Sequence, residues 1–234
     1  MSTRHDDDIA PRNPIHGLYA ITPDETDTSK LLRAVSDALE GGARLVQYRN
    51  KSARAALAHD QALALREIVR NAGAAFIVND DLELALAVLS DGVHLGRDDM
   101  PGHTLVGLDD LRKRAARTRG AEPDGHRFII GISCYNDIEL ARSASEAGAD
   151  YVAFGSMFPS STKPAAMRAP LSLIAEARRR FTLPVVAIGG ITVENAPQLI
   201  EAGVNAVAVI SALFDAKNVV MRARQFTSLF DKHV

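Results

Sequence analysis

The chain contains a single cysteine, Cys134, among 234 residues. One thiol can neither close an internal disulfide nor build a cysteine-based zinc cluster. Long apolar runs are missing too. Runs such as LPVVAIGGI have the length of a strand, well short of the ~18–20 residues that cross a bilayer. The opening MSTRHDDDIAPRNP carries three consecutive Asp and no apolar centre, so it does not read as a secretory signal. Residues 1–14 are expected to form a disordered tail ahead of one domain spanning residues 15–234. Excess charge is also lacking: 27 basic side chains face 29 acidic ones, for a net charge of −2. That balance argues against a non-specific nucleic-acid binder. The expectation is a cytoplasmic protein whose partners are small molecules, with neither nucleic acid nor membrane among them. Its oligomeric state is left open. Lysine is scarce, with six beside 21 arginines, which draws attention to Lys51 and Lys163.

What is present is a repeated phrase. ALEGGARLVQYR, LSDGVHLG, SEAGADYVAFG and IEAGVNAVAVIS each run from a helical pattern through Gly into a run rich in Val and Ala. Gly just past a helix supplies the left-handed C-cap. The runs are too continuously apolar for half-exposed strands and read as parallel strands buried on both faces. Eight such runs lie near 16–22, 45–49, 75–79, 92–96, 128–133, 151–155, 184–190 and 206–211. Helical patterns fill the gaps, most clearly from Ser29 to Glu40, Ala53 to Asn71, Asp137 to Ala147 and Val193 to Ala202. Eight strand–helix units in this length predict a (β/α)8 TIM barrel, an α/β fold in one domain. An open doubly wound sheet would carry a Gly-rich phosphate loop after its first strand, and YAITPDETD has none.

Barrel chemistry sits at the carboxyl ends of the strands. The second strand ends in LVQYRNK, which puts Gln47, Arg49 and Lys51 on one face of an extended chain. The third ends in Asn79, Asp80 and Asp81, the fourth leads to Asp98 and Asp99, and the fifth ends at Ser133. The seventh ends in Gly189 and Gly190, and the eighth at Ser211. Arg49, Lys51 and Lys163 form a cationic group. Asp80 and Asp99 are hard oxygen donors suited to Mg²⁺ bridging the protein to a diphosphate. One of Asp80 and Asp81 also suits a helix N-cap, and Asp98–Asp99 suits a turn. Backbone N–H groups after the seventh and eighth strands suit a monophosphate. The loop from Ser156 to Pro170 has the length of a lid. Lys163 lies in a Ser/Thr-rich loop, which favours phosphate binding over Schiff-base chemistry. Cys134 reads as a packing residue. His94 is compatible with a substrate contact or with the core.

Taken in order, QYRNK, VNDD, GVHLGRDD, GIS, FPSSTKP, AIGGI and VIS resemble the thiamine-phosphate synthase family from about Gly17 to Phe230. That family joins a hydroxymethylpyrimidine diphosphate to a thiazole phosphate, with Mg²⁺, giving thiamine phosphate and diphosphate. The resemblance implies that Gln47, Tyr48, Arg49, Asn50, Lys51, Asn79, Ser133 and Lys163 bind the pyrimidine diphosphate. It implies Asp80 and Asp99 as the Mg²⁺ ligands. It implies Ser160, Ser161, Thr162, Gly190, Ile210 and Ser211 around the thiazole phosphate. Arg49, Lys51, Ser133 and Lys163 would then carry the chemistry, a dissociative alkyl transfer without a covalent enzyme intermediate. Arg97 stands where the family commonly has Gln, and Cys134 where it often has a small non-thiol residue. A thiazole tautomerase-like isomerase is the alternative on the same fold. It needs no diphosphate site, so Lys51, Asp80, Asp99 and Lys163 argue against it.

Overall fold

Strand β1 (Gly17–Ile21) pairs in parallel with β2 (Leu45–Tyr48) on one side and with β8 (Ala206–Val209) on the other. The remaining strands follow in chain order: β3 (Ala75–Asn79), β4 (Gly92–Leu95), β5 (Ile129–Tyr135), β6 (Tyr151–Gly155) and β7 (Val185–Ile188). All neighbours are parallel and the sheet closes into a barrel. This computed structural model describes residues 15–99, 105, 107–119, 127–159 and 168–231. The expected 1–14 tail lies outside them.

Helices α1 (Thr28–Glu40), α2 (Ala55–Asn71), α3 (Leu82–Ala87), α4 (Leu108–Arg119), α5 (Ile138–Glu146), α6 (Leu171–Arg180), α7 (Ala196–Glu201), α8 (Ser211–Phe214) and α9 (Val219–Phe230) connect the strands and flank the last one. Their starts follow local chemistry. Asp27 caps α1 by accepting from the Lys30 N–H, Asp81 caps α3 through Leu84, and Asp137 caps α5 through Glu139 and Leu140. Helix α7 begins three residues later than its pattern suggested. The Asn195 side chain accepts from the Thr192 N–H at 2.8 Å and donates to the Gly190 carbonyl at 3.0 Å. That turn uses up the residues before Ala196.

Strand alternation divides the side chains into two layers. Tyr19, Ile21, Leu45, Ile77, Tyr151, Ala153, Val186, Ala206 and Ala208 fill the barrel. Val46, Tyr48, Phe76, Val78, Ile130, Ile132, Phe154 and Val207 pack outward with the helices.

The amino-terminal face is locked by one residue placed just before each of three strands. Asp91, Asp150 and Asn205 accept through their side chains from the N–H groups of Phe76, Ile130 and Val185 at 2.7–2.9 Å. Each also donates its own N–H to the neighbouring strand. Asp150 additionally pairs with Arg112 at 2.7 Å and Arg127 at 3.0 Å. Truncating Asp150 to Ala strands the mostly covered Arg112 and frees the start of β5. A fully buried pair loses ~3–5 kcal/mol when one partner is removed. Partial solvent access lowers the expected cost here to about 2–3 kcal/mol. Urea unfolding checks this, and a loss below ~1 kcal/mol would show that the pair does not hold the barrel floor.

Candidate active site

At the opposite face the strand ends converge. Past β2, the Arg49 guanidinium donates to Asp24 Oδ1 at 2.9 Å. The same carboxylate oxygen accepts from the Lys51 N–H at 2.9 Å. Thr22 Oγ1 accepts from the Arg49 N–H and donates to the Arg49 carbonyl, both at 2.8 Å. The β1 loop therefore clamps the cationic segment from below. Asp24 and Thr22 were not singled out from the sequence, although they lie in the TPDE turn directly after β1.

The side chains of Tyr48 and Asn50 are held by α2 and by the loop after β1. Tyr48 is buried in the outer layer and its hydroxyl donates to Gln61 Oε1 on α2 at 2.9 Å. Asn50 donates to the same Gln61 oxygen and to the Glu25 carbonyl. The reason is the two-residue period of the strand. Once Gln47, Arg49 and Lys51 face the mouth, the residues between them must face the helices.

Asp80 and Asp99 come together, as their rim positions suggested. The Asp80 carboxyl lies close enough to Asp99 and Lys51 to feel the charge of both. Asp99 also accepts from the Gly96 N–H at 3.1 Å. Burial pushes the Asp80 carboxyl up to about 6, the Asp99 charge adds to the rise, and Lys51 opposes it. Asp80 is held at a left-handed φ of 63°. That conformation is uncommon outside glycine and tends to mark functional positions. Its neighbour Asp81 is the helix cap, which resolves the ambiguity between the two. Two crowded carboxylates with a cation alongside are a donor set that a hard divalent ion relieves, so the residues fit Mg²⁺.

The β7 end carries two consecutive left-handed glycines, Gly189 at φ 100° and Gly190 at φ 66°. They pack against the start of the loop after β6. Phe158 donates its N–H to the Gly189 carbonyl at 3.0 Å, and Met157 to the Ile188 carbonyl at 3.2 Å. Beside them β8 ends at Val209, Ile210 is the turn residue, and Ser211 opens α8. Gly190, Ile210 and Ser211 thus share one sector of the rim. Ser160, Ser161, Thr162 and Lys163 lie outside the described residues.

Inside the mouth Gln47, His94 and Ser133 are joined into one chain of polar groups by two tyrosines, Tyr19 and Tyr151, that were not singled out from the sequence. Gln47 Nε2 donates to the Tyr19 hydroxyl at 2.7 Å, and the Tyr19 and Tyr151 hydroxyls are 2.8 Å apart. Tyr151 meets His94 Nδ1 at 2.9 Å, and His94 Nε2 meets Ser133 Oγ at 2.9 Å. Gln47, Tyr19, Tyr151 and His94 are all buried. The signal available in sequence was a tyrosine inside each of two otherwise aliphatic strands, LYAI and YVAF.

Two other residues fall outside this constellation. Arg97 is exposed at the rim, 3.7 Å from Asp137 and with its guanidinium carbon 5.7 Å from the Tyr135 ring centroid. Cys134 is buried and bonded to the Ile132 carbonyl. Burial pushes its thiol far above the ordinary range, with Asp137 adding to the effect. Native protein is therefore expected to resist iodoacetamide at about pH 8.5, where a free thiol is half ionised. Intact-mass measurement before and after denaturation reads this out. Rapid native labelling would show that the β5 end opens.

A closed parallel barrel with paired carboxylates, clamped cations and a serine at the carboxyl ends of its strands has the architecture of a (β/α)8 enzyme. The family model described as thiamine monophosphate synthase matches residues 18–213, and the chain belongs to that family. It is 52% identical over 218 residues to a thiamine-phosphate synthase of Methylobacillus flagellatus, covering 93% of this chain and 97% of that one. A thiamine-phosphate synthase of Aromatoleum aromaticum is 48% identical, with 94% and 99% covered. Among solved structures, a thiamine phosphate pyrophosphorylase from Pyrococcus furiosus superposes with a TM-score of 0.78 at 32% identity. That match covers 94% of this chain and 98% of the other.

Proposed function

We propose that this barrel condenses 4-amino-2-methyl-5-hydroxymethylpyrimidine diphosphate with thiazole phosphate, giving thiamine phosphate and diphosphate. The observation that carries the reading is the meeting of Asp80 and Asp99 beside Lys51, within a family whose relatives bear the synthase name. Asp80 and Asp99 hold Mg²⁺, which supplies positive charge against the diphosphate. Arg49, Lys51 and, from the loop after β6, Lys163 add further charge where the leaving group's charge grows. Ser133 offers a hydroxyl to the same group. The aminopyrimidine ring feeds electrons to its exocyclic methylene as the C–O bond breaks, and the diphosphate departs with the bonding pair. The thiazole nitrogen then forms the new C–N bond to that carbon. Gly190, Ile210 and Ser211, with Ser160, Ser161 and Thr162, hold the thiazole phosphate so that the nitrogen is in line. No helix among the described residues is long and apolar enough to cross a membrane, in keeping with a cytoplasmic setting.

The test is release of diphosphate with each substrate alone and with both, across a Mg²⁺ titration. Release that requires both substrates and the metal supports the reading. Isomerisation of a thiazole phosphate without any pyrimidine would favour a tautomerase instead, a reading that none of the named relatives supports.

A further inference from the structure

The contact between Ser133 Oγ and His94 Nε2, at 2.9 Å, has the spacing of a serine nucleophile and its base. What lies behind the histidine reverses that reading. A base-type histidine presents an Nδ1–H to an acceptor such as a carboxylate. Here Nδ1 faces the hydroxyl of Tyr151, a group with a proton of its own to place. Proton placement then follows from one end of the chain. Gln47 donates through Nε2, so the Tyr19 hydroxyl accepts there and has to donate elsewhere. Its other partner is Tyr151, which therefore accepts from Tyr19 and passes its own proton to His94 Nδ1. With Nδ1 accepting, the ring proton is on Nε2, and Nε2–H donates to Ser133 Oγ. The opposite direction leaves the Tyr19 O–H buried without an acceptor in this chain of contacts. An orphaned buried donor costs more than a hydrogen bond gains. Tyr19 and Tyr151 are fully buried and burial raises both phenols well above their ordinary range, so both keep the protons the relay needs.

We infer that Gln47, Tyr19, Tyr151 and His94 form a one-way hydrogen-bond relay that makes His94 a positioning residue: it donates to Ser133 and turns the serine proton out toward the substrate. Ser133 is then a fixed donor, neither a base nor a nucleophile. The identity of the acceptor, an oxygen of the departing diphosphate, rests on the synthase reading. The direction of the relay does not. Gly131 belongs to the device. A Cβ there would lie 2.0 Å from Tyr151 Cζ, so only glycine at this point of β5 leaves room for the tyrosine ring.

The direction is measured on the whole, substrate-free protein by two-dimensional ¹⁵N–¹H correlation of the histidine rings, with His94→Gln identifying the His94 signals by their loss. The expected result is a neutral ring protonated at Nε2 and bare at Nδ1. A ring protonated at Nδ1, or at both nitrogens, overturns the inference. Tyr151→Phe removes the donor to Nδ1 and should spoil that signature. It should also lower kcat about tenfold, the scale of one hydrogen bond, with the KM for thiazole phosphate unchanged. Unchanged kcat in a folded Tyr151→Phe protein would show that the relay does not position Ser133. Should that variant fail to fold, Tyr19→Phe breaks the next link, and the wild-type spectrum alone still decides the direction. The expected tautomer in a protein that forms no thiamine phosphate would overturn the synthase reading and leave the relay standing. The reverse pairing would do the opposite.

Discussion

Asp80→Asn and Asp99→Asn are each expected to slow thiamine phosphate formation by roughly 10²–10³-fold, the scale of losing one preorganised transition-state group. Each should also shift the Mg²⁺ requirement to higher concentration, because a charged oxygen ligand is gone. The same change should leave metal-free stability intact or raise it. The Asp99 charge disfavours ionisation of Asp80, and removing one charge removes that repulsion. Asn also suits the left-handed backbone of residue 80 better than most side chains. Loss of activity without loss of stability is thus the signature, read from initial rates over a Mg²⁺ titration and from urea unfolding without metal. Asp81→Asn is the internal comparison. Asp81 caps α3 through the Leu84 N–H, and Asn caps about as well, so this variant should behave like wild type. A dominant effect at Asp81 with silence at Asp99 would overturn the assignment of the pair.

Gly190→Ala is expected to damage both stability and the phosphate sector. The residue sits at φ 66°, and an added Cβ would come within 2.3 Å of the Pro159 carbonyl oxygen and 2.6 Å of that of Phe158. The left-handed conformation alone costs a non-glycine residue ~1–2 kcal/mol. The carbonyl contacts are backbone and cannot rotate aside, so the total is about 2–3 kcal/mol. The displaced loop is the one that leads to Ser160, Ser161, Thr162 and Lys163. The KM for thiazole phosphate should therefore rise about tenfold, equivalent to one lost phosphate hydrogen bond. Wild-type stability together with wild-type KM would mean that the β6 and β7 loops do not meet in solution.

The eight strands were legible because each is a short apolar run, most of them beginning at or soon after a glycine, and parallel strands covered on both faces must be apolar throughout. Their boundaries moved little. The seventh ends at Ile188 and the eighth at Val209, a little short of their sequence patterns, because Gly189, Gly190 and Ile210 are used in turns. The pairing of Asp80 with Asp99 was legible for a related reason. Asp80 follows β3 directly and Asp99 lies in the turn just after β4, and neighbouring parallel strands present their ends side by side. Within QYRNK the spacing put Gln47, Arg49 and Lys51 on one face, and the partners of the residues between them, Gln61 on α2 for both Tyr48 and Asn50, were not legible.

Chain order and local spacing thus determined the barrel, the rim that carries the chemistry and the helix caps, all of which depend on residues a few positions apart or on adjacent strands. Closure of the barrel decided the rest. Tyr19 and Tyr151 are 132 residues apart and His94 and Ser133 are 39 apart, and no periodicity links them. The clamp of Asp24 on Arg49 spans 25 residues and joins two loops. A buried hydroxyl or imidazole must find a partner wherever the closed sheet places one. The donors and acceptors of the mouth were therefore chosen by the tertiary structure, because only the closed sheet brings strands β1 and β6 within reach across its interior.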